Sequence, residues 1–220
     1  IRTLLKQEKI DVIHCHQYTP WVYGAIAAFG LETKVVFTEH GRFYPDSSSW
    51  KRKLVNPVLS LMSNKIKAIS KATRQALIDY EFIQAEAVAL VYNGIHSLHT
   101  ASVDTIKSLR QQLNLRENDL LLGTVARLDP IKNHKMMLQS FSRALKKHPN
   151  IKLVIVGDGE LKSALLQDCQ MLKITEDVIF TGYISDPSIY IQAFDIFLLS
   201  SFSEGTSMTL LEAMSVGLPC

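Results

Sequence analysis

The stretch SFSEGTSMTLLEAMSVGLPC, Ser201 to Cys220, sets two carboxylates, Glu204 and Glu212, eight positions apart. Between them lie Gly205, the small hydroxyl residues Thr206, Ser207 and Thr209, and the apolar pair Leu210-Leu211. The apolar run DIFLL, Asp195 to Leu199, comes just before. The pattern predicts strand, tight loop and helix. Glu204 would stand at the carboxyl end of the strand, where open α/β sheets bind ligands. The helix would begin near Ser207, offering free backbone N–H groups and a positive dipole end to an anion. Glu212 would follow roughly 8 Å along the axis, at ~1.5 Å per residue. One carboxylate would face the reacting end of an anionic ligand and the other would sit farther along it. Glutamates at this spacing also occur on ordinary surface helices, so the rest of the chain has to decide.

The 220 residues are 47% hydrophobic and 20% charged, with a net charge of +3. That is globular composition, long enough for one large or two small domains and too weakly basic to argue for nucleic acid. Cys15, Cys169 and Cys220 have no CxxC spacing and are odd in number, which favours reduced thiols and a cytoplasmic setting. No apolar run approaches the ~18–20 residues of a membrane span. The first residues read as mid-helix and the last as the start of a strand, so we expect a fragment lacking both ends.

Residues 1–92 alternate strand and helix patterns. Strands are expected at Asp11–His14, Lys34–Thr38, Lys65–Ile69 and Ala87–Val91. A helix is expected over Trp21–Phe29 with Pro20 in its first turn. Asn56-Pro57 reads as cap and first position of a short helix to Met62, and Ser70 as the cap of the next. Residues 93–104 have turn chemistry without periodicity and read as an interdomain linker. Residues 105–220 repeat the alternation, with strands at 119–126, 151–156, 177–181 and 195–200. The expected fold class is α/β, two Rossmann-like, doubly wound parallel-sheet domains, both truncated. Residues 1–92 would form an acceptor-side domain and 105–220 a donor-binding domain.

Several constellations sit at expected strand ends. Arg127-Leu-Asp-Pro-Ile-Lys132-Asn133 brings two cations to one loop, as a phosphate grip or a solvated turn. Gly157-Asp158-Gly159-Glu160 invites a dinucleotide fingerprint, but Lys162 stands where the third glycine belongs, so it reads as the turn leading into a helix. Gly182-Tyr183-Ile184 follows a strand and is either a base-reading turn or a turn with one exposed aromatic. Thr38-Glu39-His40-Gly41 ends a strand, with His40 a ligand contact or a structural histidine. His14 and His16 share one strand face, without the further ligands of a zinc site. Residues 42–74 carry eight basic residues against one acid, Asp46, a net +7. Leu54, Val55, Val58, Leu61 and Met62 share a helical face among them. That face either docks on an anionic membrane surface or packs on the core.

Taken together, SEG…LLEAM…GLP, ARLDPIKNH, GDG, TEHG and HCH resemble the retaining GT-B glycosyltransferases of family four, glycosyl transferases group 1, over nearly the whole chain. In the linker, His96 stands where that family usually has Asp after Asn-Gly-Ile. The resemblance implies transfer of a sugar from a UDP- or GDP-linked donor to a glycan, lipid or other acceptor. The expected setting is cell-envelope or exopolysaccharide synthesis, in the cytoplasm or peripherally at the inner face of the membrane. It implies Glu204 and His40 as catalytic or sugar-contacting groups, and Arg127, Lys132, Gly205, Thr206, Ser207, Met208 and Glu212 as donor and phosphate ligands. Tyr183 and Ile184 would lie against the base, and no cofactor beyond the nucleotide-sugar substrate is expected. The chain has no Asp-x-Asp pair, which favours metal-independent transfer. A non-catalytic nucleotide-sugar-binding module is the alternative, and a Rossmann oxidoreductase is disfavoured by the failed fingerprint.

Overall fold

A computed structural model describes residues 1–41 and 47–220; Arg42 and Asp46 of the basic stretch lie outside the described residues. The chain folds as two compact units, Ile1–Gly94 with Ser203–Thr206, and Ile95–Phe202 with Ser207–Cys220.

The first unit runs α1 (Arg2–Gln7), β1 (Val12–His16), α2 (Tyr18–Ala28), β2 (Lys34–Glu39), α3 (Trp50–Leu61), β3 (Lys65–Ala68), α4 (Lys71–Asp79) and β4 (Val88–Leu90). The four strands form one sheet in the order β1-β2-β3-β4, parallel throughout. The register sets Cys15, Phe37, Ile66 and Val88 side by side, and all four are buried. Trp21 of α2 stacks on Phe37, ring centroids 4.4 Å apart, and its indole N–H donates to Ser63 Oγ at 2.8 Å. Ser70 caps α4, its hydroxyl accepting from Thr73 N at 3.0 Å.

One local reading is corrected. Asn56 does not cap a helix at Pro57: α3 starts from Ser49, whose hydroxyl accepts from Arg52 N, and Pro57 lies inside it. Asn56 is instead fully buried. Its Nδ2 donates to Glu81 O at 3.0 Å and to Glu81 Oε2 at 2.9 Å, while its Oδ1 accepts from the Tyr18 hydroxyl at 2.8 Å. Arg52 Nη1 completes the network on Glu81 Oε1 at 2.8 Å. A buried carboxylate with several partners outweighs the local preference of Asn-Pro for a helix start.

The second unit runs α5 (Val103–Gln112), β5 (Leu120–Val125), α6 (His134–Leu145), β6 (Ile151–Val156), α7 (Lys162–Leu172), β7 (Val178–Gly182), α8 (Ser188–Ala193), β8 (Ile196–Phe197) and α9 (Met208–Ser215). Its sheet is parallel, in the order β7-β6-β5-β8. Strand β6 explains the layering. Leu153 and Ile155 belong to one buried cluster with Leu138 and Phe141 of α6 and Leu165 of α7. Val154 and Val156, on the opposite face, pack with Leu109 of α5, Ile191 of α8 and Ala213 of α9. Successive side chains point to opposite faces, so the apolar run Leu153–Val156 needs helices on both sides. Both units are Rossmann-like α/β layers on parallel sheets.

Candidate functional site

In the first unit the carboxyl ends of β1 and β2 gather three histidines. The register pairs His16 with Thr38, so residues just past β2 stand beside the end of β1. His14 Nε2 lies 2.8 Å from Thr38 Oγ1, and His16 Nδ1 lies 2.7 Å from His40 Nε2. The His16 and His40 rings stack with centroids 4.9 Å apart, and His14 and His16 are 4.0 Å apart. Burial and then the neighbouring His16 hold His40 below the usual imidazole value; burial, His16, Lys67 and His40 do the same for His14. Both rings are therefore neutral at neutral pH. A His–His hydrogen bond then needs one ring to donate and the other to accept. Among the described residues no hydrogen-bond partner meets His40 Nδ1, so that nitrogen can serve a sugar hydroxyl as donor or acceptor. Glu39, buried beneath, accepts from the His40 and Gly41 N–H groups at 3.0 and 3.2 Å and fixes the turn.

The Ser203–Thr206 segment belongs to the same unit and carries Glu204 to this corner. Gly205 shows why: a Cβ there would run into the carbonyl oxygen of His40, so only glycine lets the two backbones approach this closely. Thr206 Oγ1 lies 3.2 Å from Ile69 O, anchoring the segment's other end. The structure thus brings the Glu204 loop and His40 together.

In the second unit the loop after β5 is folded by its own side chains. Asp129 caps the short 3-10 turn Pro130–Lys132, its Oδ1 accepting from Lys132 N at 3.2 Å. Its other oxygen takes Arg127 Nη2 at 2.7 Å and Nε at 3.1 Å. Burial pushes the Asp129 carboxyl up, but these hydrogen bonds outweigh it and hold it below the usual carboxylate range. The Arg127 side chain remains largely exposed. Asn133 takes a left-handed conformation and turns the chain into α6. Ser200 Oγ donates to Lys132 O at 2.7 Å, and Phe202 N donates to Ile131 O at 2.9 Å, tying the loop to the segment after β8. The GDG turn underlies it. Leu128 N donates to Asp158 O at 3.0 Å, Leu161 N donates to Leu128 O at 3.1 Å, and a Cβ on Gly159 would meet the Leu128 backbone at 2.5 Å. The glycine turn supports the basic loop, which gives Gly159 a reason other than a dinucleotide.

Ser207 caps α9, its hydroxyl accepting from Leu210 N at 3.3 Å, with Met208 the first helical residue. Glu212, half-buried on that helix, has its carboxyl pushed up by burial and by the charge of Asp186. Asp186 follows Tyr183 and Ile184 closely in the turn after β7. Tyr183 is 77% exposed, a ring available for stacking, while Ile184 is packed against the core. Sequence reasoning did not single out His16 as the partner of His40, nor Asp129, nor Asp186. Asp129 was legible in principle, since Asp-Pro is a familiar start for a short helix. The His16–His40 pairing required the strand register. Among the described residues no group of three or more His, Cys, Asp or Glu side chains, the three histidines included, has an arrangement that could hold a metal ion.

Comparison with known proteins gives a consistent result. Residues 105–220 match the family Glycosyl transferases group 1, and residues 1–97 match Glycosyltransferase Family 4. The chain is 29% identical over 227 residues to the UDP-Gal:alpha-D-GlcNAc-diphosphoundecaprenol alpha-1,3-galactosyltransferase of Escherichia coli, covering 99% of this chain and 58% of that protein. It is 28% identical over 233 residues to the alpha-monoglucosyldiacylglycerol synthase of Streptococcus pneumoniae, covering 98% and 52%. The structure of Anabaena HepE in complex with UDP and glucose superposes with a TM-score of 0.87 at 26% identity, over 99% of this chain and 60% of that one. The chain spans somewhat over half the length of these proteins. With one family covering the whole second unit's strand-and-helix series and the other the first unit's, this chain belongs to the glycosyl transferases group 1, family-four glycosyltransferases of the GT-B fold.

Proposed function

We propose that the protein transfers a sugar, with retention of anomeric configuration, from a UDP- or GDP-linked donor to a lipid-linked or glycan acceptor in cell-envelope or exopolysaccharide synthesis. Residues 105–220 would bind the donor, residues 1–92 the acceptor side, and residues 93–104 would link them. The observation that carries the reading is the loop 127–133. It is a basic turn at a strand's carboxyl end, held in shape by Asp129 and by the GDG turn beneath it.

Departure of a nucleoside diphosphate leaves negative charge on the β-phosphate, and the largest catalytic contribution comes from groups already oriented to receive it. Lys132 and the Arg127 fork would supply that charge, together with the N–H groups of Thr206, Ser207 and Met208 at the start of α9. This arrangement needs no divalent ion for leaving-group stabilisation. Glu212 would accept hydrogen bonds from ribose hydroxyls. Tyr183 and Ile184 would lie against the base. Glu204 would orient the donor sugar and stabilise positive charge at its anomeric carbon. His40, neutral and held by His16, would hydrogen-bond the transferred sugar. The UDP complex of HepE and the lipid-linked substrates in the names of the two enzymes above support this assignment. The intact set of Glu204, Glu212, Arg127 and Lys132 in the sequence argues against the non-catalytic alternative.

Isothermal titration of the full-length protein with UDP and GDP in EDTA tests the donor site, with donor hydrolysis followed in parallel. Binding of one nucleotide without metal, weakened in Lys132→Ala, is the expected result, with hydrolysis lost in Glu204→Gln. Absence of binding to either nucleotide would end the donor-site assignment.

A further inference from the structure

The backbone of His40 is fixed twice, by the Glu39 carboxylate on its N–H and by the close packing of Gly205 against its carbonyl. Its ring is fixed once. Among the described residues the one side chain hydrogen-bonded to that ring is His16, whose Nδ1 lies 2.7 Å from His40 Nε2. His16 is itself delivered by strained backbone. The next residue, Gln17, has φ 72° and ψ 166°, a conformation uncommon outside glycine. Such a conformation persists only where its surroundings over-determine it, and clusters at functional sites. Here Gln17 N donates to Thr38 O at 2.9 Å, and Gln17 O accepts from the N–H of the buried Trp21 at 3.2 Å. His14, tethered to Thr38 Oγ1, lies against the His16 ring. The fold thus holds His16 in place from the backbone outward, and His16 holds His40.

A hydrogen bond between two neutral imidazoles contains one proton, so the two rings cannot choose their tautomers independently. In one arrangement His16 Nδ1–H donates to His40 Nε2, and His40 carries its own proton on Nδ1. In the other His40 Nε2–H donates to His16 Nδ1, and His16 carries its own proton on Nε2. The first puts both protons on Nδ1, the less favoured form of neutral imidazole in water. The second puts both on Nε2, the favoured form. It also suits the surroundings: His16 is exposed and its Nε2 meets no partner among the described residues, so water can take that proton's hydrogen bond.

We infer that His16 is a positioning residue that holds His40 as its Nε2–H tautomer, so that His40 offers a ligand a bare Nδ1 lone pair. The site then asks for a hydroxyl that donates at this point, a selection that an imidazole free to turn over would not make. This deepens the proposed function and rests on it for the identity of the ligand, the transferred sugar; the pairing itself stands on the geometry of β1 and β2. One further proton on the pair ends the selection wherever it lands, because His40 then carries a proton on Nδ1 in every arrangement. The charged and titratable groups around the pair are Glu39 on its backbone side, His14 and Lys67 on the neighbouring strands, and Glu204 on the loop whose Gly205 meets His40.

The test uses the full-length protein with histidine isotope-labelled at its ring nitrogens. Long-range proton–nitrogen spectra at about pH 8 read which nitrogen carries the proton in each neutral ring, with His16→Asn and His40→Gln assigning the signals. Both rings should show the Nε2–H pattern. The second readout is hydrolysis of UDP-glucose and UDP-galactose across pH, with UDP binding measured alongside. His16→Leu should lower kcat/KM about fivefold while the UDP Kd stays within a factor of ~2. His16→Asp places a group that can only accept where Nδ1 stood. It should restore most of that loss at about pH 8 and move the acid limb of the pH profile upward, because the carboxylate favours the charged imidazole. A spacer that merely filled the position would not move that limb. Spectra showing His40 protonated on Nδ1 overturn the inference. So does a His16→Leu enzyme as active as the wild type, or a His16→Asp enzyme that is folded by circular dichroism yet no better than His16→Leu. A protein that binds neither UDP nor GDP breaks the donor-site proposal instead, and the spectra still decide the tautomer.

Discussion

Two strand ends in this molecule solve different problems with the same architecture. At the ends of β1 and β2, in the first unit, burial and neighbouring imidazoles hold His14 and His40 below the usual imidazole value, over a buried Glu39 whose carboxylate accepts from backbone N–H groups. At the end of β5, in the second unit, the loop carries Arg127 and Lys132, and Asp129, held below the usual carboxylate range, accepts from Arg127 and from the turn. Neutral hydrogen-bonding groups suit a sugar, whose hydroxyls both donate and accept. Fixed charges suit a diphosphate. The sheets beneath are alike, parallel and helix-covered, so the division of labour we propose would lie in the loops, as it does wherever a scaffold is reused.

Substitutions at the two ends should therefore separate. Lys132→Ala should weaken UDP or GDP binding on the order of 10- to 100-fold, the value of a charge-assisted hydrogen bond to an anion, measured by calorimetry. A change of less than threefold would mean that the β5 loop is only a solvated turn. Gly205→Ala forces a Cβ onto the His40 carbonyl. It should cost about 1–3 kcal/mol, read as a lower Tm, and reduce transfer as Glu204 shifts. An unchanged Tm would show that the loop does not need its close approach. His40→Ala should lower kcat/KM for transfer about tenfold while leaving the nucleotide Kd within a factor of ~2. Equal losses in both would erase the distinction between the strand ends. Asp129→Ala should cost about 1 kcal/mol through the lost cap, with Asp129→Asn restoring most of it and leaving Arg127 unpaired.

The smallest effect is the pH dependence. His14 and His40 have folded values below the usual imidazole range, so between that range and their folded values the unfolded chain binds more protons. Their contribution to stability is complete above the ordinary imidazole value and is lost as pH falls through the folded values. Tm should therefore decline on acidification from about pH 7 toward about pH 5, and a His14→Gln, His40→Gln pair should flatten that decline. A decline of the same slope in that variant would assign it to other groups, His134 among them, which is buried and shifted in the same direction.

Much of this was legible without coordinates. The alternation of strand and helix, the buried run IKLVIV, and the caps at Ser70 and Ser207 are local patterns, and local patterns survive in a linear string. So does the spacing of Glu204 and Glu212 across a loop and a helix start. The tertiary structure alone decided which groups face each other. Asn56 left its expected cap for Glu81, 25 positions away. His16 found His40, 24 positions away, only because β1 and β2 pair in one particular register. Arg127, by contrast, closes on Asp129 only two positions away, a local pair that residue order already offers. The physical reason is common to the first two. Hydrophobic periodicity and caps are stabilised within a turn or two of the chain, so residue order determines them. Hydrogen-bond and charge partners are chosen by whichever groups the packed elements leave facing one another out of water, and that depends on the whole fold.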